Sequence, residues 1–319
     1  MYKYLKNGLL IFTNNGLKRI EDIDKTQGDK ILIYKDGKYE YGEIDNIEKI
    51  YKKHYKLNKI NFINSIESFY TNDNIEIKSV VNIPSAIDST MDIPDYLDYN
   101  KNRCINMTRV CELSSFDYIG FPTTFETEEV SSSNPLLNDS YRFMGLLLSS
   151  SLLSFYINKD KDKTINFITE YLKRNDISYE ISEMDNKTVI KYDNQLLMKK
   201  IKIVDINDIL KVHKEQLMEF VKGLIEIDNE YVMINKDIYQ IIKYACLRLG
   251  VIISSYYRND KYHIKISRKL SKIHFNYFNY DETVWNKIRN IKKIDYNGFL
   301  YKLVLMDDCP YLTEIGLIS

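Results

Sequence analysis

The sequence predicts a multidomain α+β chain in which an all-β unit is split by an inserted α/β pseudo-repeat and completed by the C-terminal segment. Three observations carry this. Over residues 8–80, apolar runs such as Leu9-Leu10-Ile11-Phe12 and Ile31-Leu32-Ile33-Tyr34 alternate with Asn15-Gly16 and Asp36-Gly37, the pairs that close tight hairpins. Past the linker-like Ser131 to Ser140 (SSSNPLLNDS) the apolar period changes to that of helices. Residues 294–319 then return to strand character, with Leu300 to Leu305 followed by a turn at Asp307-Asp308-Cys309-Pro310.

Composition bounds the class. The 319 residues suffice for two cores, and 44% apolar with 28% charged residues is a globular balance. Formal net charge is zero, so no global field argues for nucleic acid. Its distribution is uneven: residues 1–140 carry 17 Lys+Arg against 22 Asp+Glu, and residues 141–285 carry 23 against 19. Arg258 to Lys293 holds ten basic and three acidic side chains. The four cysteines (Cys104, Cys111, Cys246, Cys309) show no metal-ligand spacing and suit a reduced, intracellular setting. The N-terminus lacks a signal peptide's apolar core, and no run is long enough to span a membrane.

Residues 82–103, rich in Asp and Pro, are expected as a loop, and 110–122 as strand. Tyr141 to Leu153 is a continuous apolar helix candidate. Asn166 to Arg174 is amphipathic, and two strands flank the Asp185-Asn186 turn. A helix ending in Leu217 to Asp228, the strand Tyr231 to Asn235, the helix Asp237 to Gly250 and a hairpin over 252–266 repeat that order. Gly145 and Gly223 lie 78 residues apart and Leu172 and Leu247 lie 75 apart, the mark of an internal duplication. Residues 275–285 (FNYFNYDETVW) suggest an aromatic joint or partner contact.

The order β-unit, α/β pseudo-repeat, β-tail resembles an intein carrying a homing endonuclease. Tyr4 to Ile23 is similar to the intein opening block through Thr13, Gly16 and Ile20-Glu21-Asp22-Ile23. Gly28-Asp29 resembles the Gly-Asp that enters the next strand. Thr71 to Ile77 resembles the block that normally reads Thr-x-x-His, and Cys111 to Pro122 a further block. Leu300 to Val304 and Gly316 to Ser319 resemble the two closing blocks. Phe143 to Leu153 (FMGLLLSSSLL) and Phe220 to Asn229 (FVKGLIEIDN) resemble the paired LAGLIDADG helices. The resemblance implies an all-β Hint horseshoe, residues 1–135 plus 290–319, split by an αββαββ LAGLIDADG pseudo-dimer at 138–288.

It also implies which chemistry is missing. Splicing needs a nucleophilic Cys or Ser and a proton-shuttling His; Tyr4 and Asn74 stand at those positions. Two-metal cleavage needs carboxylates on both motif helices. Asp228 stands at the second acid position, with Glu226 two residues earlier, while Ser150 replaces the first acid. Asp228 is the one candidate for residual endonuclease acid or metal ligand, and Mg²⁺ is implied only if cleavage survives. No other cofactor is expected.

What remains is a DNA-binding saddle. Arg258, Lys261, His263, Lys265, Arg268 and Lys269 supply cations at alternating strand positions, interleaved with Tyr256, Tyr257 and Tyr262, a pattern suited to phosphate tracking. The matching segment, 179–192, holds Lys187 and Lys191 but also Glu180, Glu183 and Asp185. Expectation therefore runs to a non-splicing, non-cleaving protein retained to bind double-stranded DNA. It would be a monomer with internal pseudo-twofold symmetry, located inside cells, in host cytoplasm or nucleus or in a virion. The alternative is a scaffold subunit of a larger, viral assembly that uses the two domains for protein contacts.

Overall fold

The computed structural model describes residues 3–63, 65, 67–85, 87, 92–123, 135–150, 154–200, 212–228, 231–234, 236–266, 273–274 and 277–319. The chain divides into two compact units. Unit 1 takes residues 1–128, 250–252 and 271–319, and unit 2 takes 129–249 and 253–270. Sequence reading carried the insert to 288. Its C-terminal edge lies near 270, because residues 277–288 pair into the sheet of unit 1.

Unit 1 begins with strands β1 (Leu5–Lys6), β2 (Leu10–Thr13), β3 (Gly16–Arg19), β4 (Ile31–Lys35) and β5 (Lys38–Gly42). It continues with β6 (Ile44–Phe62), β7 (Ser68–Thr71) and β8 (Glu76–Val80), helix α1 (Ile93–Cys104), and strands β9 (Ile105–Arg109) and β10 (Tyr118–Pro122). Unit 2 contains α2 (Pro135–Ser149), β11 (Ser154–Asn158), α3 (Asp162–Arg174), β12 (Tyr179–Met184), β13 (Lys187–Tyr192) and α4 (Asn194–Lys200). Then come α5 (Lys214–Asp228), β14 (Tyr231–Ile234), α6 (Lys236–Arg248), β15 (Ser254–Arg258) and β16 (Lys261–Lys265). The remaining strands, β17 (Ile273–His274), β18 (Tyr277–Tyr280), β19 (Thr283–Leu305), β20 (Tyr311–Thr313) and β21 (Gly316–Ile318), belong to unit 1.

All strands of unit 1 join one antiparallel network, ordered β1-β7-β6-β19-β10-β8-β21-β20-β2-β4-β5 along its main path. Early and late segments are therefore woven together. Tyr301 in β19 pairs with Leu5, Thr313 in β20 with Ile11, and Ile318 in β21 with Ile77. The core beneath is β-branched: Ile11, Ile31, Ile33, Ile60, Ile77, Ile288 and Ile318 have no measurable exposure. β-Branched side chains suit this pleated, half-buried surface.

Two stretches differ from their sequence readings. Residues 93–104, expected within a loop, form α1. Pro94 stands in the first turn, where a missing N–H costs nothing, and Ile93, Leu97 and Cys104 turn inward. Residues 277–285, placed in the insert by the sequence, form a hairpin within unit 1. Asp281 and Glu282 both take left-handed φ, +51° and +50°, as a two-residue turn of this hand requires. Trp285, fully buried, donates its indole N–H to the Tyr280 carbonyl at 3.1 Å.

In unit 2 each half runs helix, strand, helix, hairpin. Each half forms a three-stranded antiparallel sheet with the last strand in the centre: β11-β13-β12 and β14-β16-β15. The residue pattern predicts the second half in this order and lacks only β11 in the first; the αββ scheme implied by the resemblance has one strand and one helix fewer per half. Five residues of β11 fill the span before α3, whose buried Thr164, Ile168, Tyr171 and Leu172 follow helical spacing.

Asp29 anchors the opening hairpins of unit 1. Gly28, at φ +80°, turns the chain so that Asp29 enters the interior, only 2% exposed. Burial alone would raise its pKa. That effect is outweighed by bonds from the Asp24 N–H (2.8 Å), the Lys18 ammonium (2.7 and 2.8 Å) and the Asn15 amide (2.7 Å), so the carboxyl sits below its ordinary value. A lowered folded pKa stabilises the fold above the unfolded value and loses that contribution as pH falls through the folded one. Asp29→Asn should therefore cost about 2 kcal/mol at neutral pH. In urea titrations at a series of pH values, the deficit should shrink below about pH 4.

Candidate functional site

Unit 2 is organised by the crossing of α2 and α5. Gly145 faces α5, where a Cβ would collide with the Phe220 carbonyl and approach the Leu224 amide nitrogen to 2.8 Å. Gly223 faces α2, where a Cβ would meet the Arg142 carbonyl and approach the Leu146 nitrogen to 3.0 Å. Each glycine thus sits against the residue three before, and the residue one after, the other glycine. This reciprocity is that of a twofold axis. Backbone contact at this range requires small residues at both positions. Phe143, Leu146, Phe220, Val221 and Leu224 fill the surrounding crossing, all at most 1% exposed.

The C-terminal ends of these helices carry the positions predicted for metal chemistry. Ser150 bonds back to the Leu147 carbonyl at 3.1 Å, as Ser149 does to Leu146 at 3.0 Å. Glu226 is engaged by Arg142, whose Nε and Nη2 donate to its carboxylate at 2.7–3.1 Å. Both side chains of this pair are about 15% exposed, and the guanidinium lies 3.9 Å over the Phe167 ring. The positions related by the twofold to Arg142 and Glu226 hold Phe220 and Leu148, so the symmetry is broken into one charged and one apolar position pair. Lys161 donates to the carbonyls of Glu226 (2.6 Å) and Ile227 (3.1 Å), a cation on the last turn of α5. Asp228 is the final residue of that helix, and its side chain lies outside the described ones.

Among the described side chains, which do not include that of Asp228, no two-metal site is assembled. Ser150 is neutral and turned to its own helix, Glu226 is taken by Arg142, and among the described residues no three His, Cys, Asp or Glu side chains converge. Sequence reading missed the Arg142 and Lys161 contacts. Each joins residues 65 or more apart, and nothing local marks them.

The hairpin β15–β16 presents the predicted cations. Pairing sets Arg258 opposite Lys261, Tyr256 opposite His263 and Ser254 opposite Lys265. Alternation puts Lys261, His263 and Lys265 on one face with Tyr256 and Arg258. Tyr256 stacks on His263 at 4.6 Å and 9°. Tyr262 and Tyr257 belong to the opposite face, where Tyr262 stacks on Tyr239 of α6 at 4.7 Å. Of the three interleaved tyrosines, only Tyr256 accompanies the cations. Arg268 and Lys269 lie outside the described residues.

The same strand recurs in the first half. β13 reads Lys187-Thr-Val-Ile190-Lys191 and β16 reads Lys261-Tyr-His-Ile264-Lys265, with both lysines displaced by 74 residues. In each, the isoleucine is fully buried beneath and the lysines occupy the other face. The first sheet adds Glu180 opposite Lys191 and exposed Met184 opposite Lys187, where the second has Ser254 and Arg258.

Unit 1 holds the positions read from the sequence as splicing-type. Leu5, after Tyr4, pairs with Thr71. Tyr4 is buried in an apolar cluster with Leu57 and Leu300, edge-on to Tyr55 at 6.1 Å. Asn74 takes part through its backbone N–H, donated to Asn72 Oδ1 at 3.1 Å. Thr71 Oγ1 is buried with no hydrogen-bond partner among the described residues. The Lys3 ammonium and the Ser319 hydroxyl both reach Glu76 Oε2, at 3.3 and 3.1 Å, and Ser319 exchanges backbone bonds with Glu76.

The Arg142–Glu226 pair is testable without any ligand. Arg142→Leu strands a mostly buried carboxylate and should cost about 2–4 kcal/mol. The double variant Arg142→Leu/Glu226→Leu should recover most of that loss in denaturant unfolding.

No protein-family model matches this sequence, and no curated protein does. Solved structures that resemble it include mesophilic variants of the homing endonuclease I-DmoI, at TM-score 0.32 and 13% identity over 43% of this chain and 92% of that one. I-DmoI in complex with DNA and Mn gives 0.31 and 13% over 41% and 90%. The N-terminal LAGLIDADG domain of DUF199/WhiA gives 0.31 and 10% over 44% and 80%. The similarity to LAGLIDADG homing endonuclease domains is thus partial, covering less than half of the chain. No described helix is long and apolar enough to cross a membrane.

Proposed function

We propose that this chain is a DNA-binding module descended from an intein with a LAGLIDADG-type insert, one that neither splices itself nor cleaves duplex DNA. The observation that carries the reading is the recurrence of Lys-x-x-Ile-Lys on the central strand of two sheets, in halves whose motif helices cross glycine to glycine. Two equivalent strands then offer lysines to a ligand that itself has approximate twofold repetition, as a duplex backbone does. Arg258 and His263 extend the surface in the second half.

One feature supports the intein-derived part. Thr71 keeps a buried hydroxyl without a partner, a cost that a packed core would ordinarily remove. With Tyr4 held in an apolar cluster, and Asn74 where a proton-shuttling His would stand, no nucleophile–base pair is formed there. A second reading, protein contact, has one observation in its favour: Ile181 and Met184 on β12 are 53% and 61% exposed.

Binding to a mixed-sequence duplex, followed across salt, tests the main reading. Lys187, Lys191, Arg258, Lys261 and Lys265 as phosphate contacts predict a log–log slope of about −4.5, so affinity should fall several-hundredfold between about 50 and 200 mM salt. Lys261→Gln/Lys265→Gln should flatten that slope by nearly two. Absence of binding at low salt would leave the protein-contact reading in its place. For catalysis, incubation of plasmid DNA with Mg²⁺ or Mn²⁺ should yield no linear product. Robust cleavage abolished by Asp228→Asn would show that an acid at the end of α5 still works.

A further inference from the structure

The longest strand pair of unit 1, β6 with β19, carries a charge that the rest of that unit does not. Lys49 to Lys59 contains five lysines and His54 with no carboxylate, and Arg289 to Lys302 on the facing strand contains four cations and only Asp295. The whole chain is neutral, so this is a strongly one-signed patch. Three of its lysines are ion-paired: Lys56 with Asp295, Lys293 with Asp73 and Lys302 with Glu48. Lys49, Lys52, Lys53, Lys59, Arg289 and Lys292 pair with no acid among the described residues. Lys59 and Lys292 even stand directly opposite each other in register, an arrangement that costs stability.

Geometry adds to the charge. From Tyr51 to Leu57, and from Ile294 to Phe299, each strand has only the other as partner among the described residues, since β7 joins β6 at Asn58 and β1 joins β19 at Leu300. The ribbon bends at a register shift between Tyr296 and Gly298. There His54, at φ +53°, donates its N–H to Asn297 Oδ1 at 2.7 Å, which fixes the bend. Beside it Tyr51 and Phe299 are 52% and 44% exposed and meet edge to face at 5.3 Å, with the Lys49 ammonium 4.4 Å over Phe299. Lysines that only kept a strand edge from pairing would be needed on the edge alone. Here they cover two strands and include an opposed pair.

We propose that the β6–β19 ribbon is a second nucleic-acid surface that grips the phosphates of duplex DNA, separate from the β15–β16 hairpin of unit 2. A polyanion relieves the Lys59–Lys292 repulsion and exploits the one-signed field. A two-stranded ribbon has the width that a major groove admits. The inference stands on unit 1 alone and holds whether or not the unit 2 surface binds DNA.

The test uses the full chain and a mixed-sequence duplex of about 30 base pairs, followed by fluorescence anisotropy from about 50 to 200 mM salt. Lys52→Gln/Lys53→Gln/Lys292→Gln should weaken binding tenfold or more at low salt and flatten the log–log slope by about two to three. Its melting temperature should be unchanged or raised, because Lys59 loses its like-charged neighbour. Slope and affinity equal to those of the parent chain would overturn the proposal, as would a lowered melting temperature with unchanged slope. If the ribbon variant loses binding while Lys261→Gln/Lys265→Gln does not, the ribbon surface stands and the unit 2 surface falls. The reverse result sinks the ribbon.

Discussion

At the crossing of α2 and α5, two missing side-chain carbons decide how unit 2 is put together. Gly145 and Gly223 let the backbones approach until each helix rests on the carbonyl of the other. Because the two contacts are reciprocal, the crossing imposes a twofold relation on whatever follows each helix. Such close packing tolerates little change, as interiors are bistable rather than continuously deformable. Each half joined at the crossing carries a three-stranded sheet with a central Lys-x-x-Ile-Lys strand whose lysines are exposed. The crossing is also where the two halves stop being equal. Arg142 and Glu226 occupy positions whose twofold mates are Phe220 and Leu148.

That inequality bears on chemistry. A carboxylate poised to hold a metal must be kept from internal cations, yet Glu226 lies in the grip of Arg142, and Lys161 adds a second cation at the end of the same helix. Ser150, at the position the resemblance gives to the first acid, bonds its hydroxyl to the Leu147 carbonyl. The arrangement stabilises the helix ends, by pairing on one side and by capping the last carbonyls on the other. In the proposed reading, groups that once served phosphodiester chemistry have been converted to holding the crossing together. The cations on the sheets, whose work needs no special pKa and no metal, are the part that remains.

Much of the fold was legible, for reasons that lie in local chemistry. Asn-Gly and Asp-Gly turns announced the first hairpins, and the 78-residue spacing of the two glycines announced the duplication. Where turn or cap chemistry was atypical, the sequence was mute. Asp281-Glu282 makes a tight turn without glycine, so the hairpin that ties residues 277–288 to unit 1 was assigned to the insert. Pro94 at a helix start looked like a loop signal in an Asp-rich stretch. At the candidate site, alternation located the cations of β16 correctly on one strand, but it could not say that Tyr257 and Tyr262 turn to the helix side. The ribbon charge stayed hidden for a simpler reason. Its two strands are more than 200 residues apart, one within a net-negative segment and the other beyond the cationic hairpin. Only pairing brings them into one ribbon.

The central claim is that the glycine crossing presents two equivalent lysine-bearing strands to one duplex. Lysine acetylation footprinting of the full chain, with and without DNA, addresses it residue by residue. The account predicts that duplex DNA protects Lys187 and Lys191 together with Lys261 and Lys265, while Lys38 on the edge strand β5 is modified equally in both states. Unchanged modification of all four lysines at saturating duplex would contradict it.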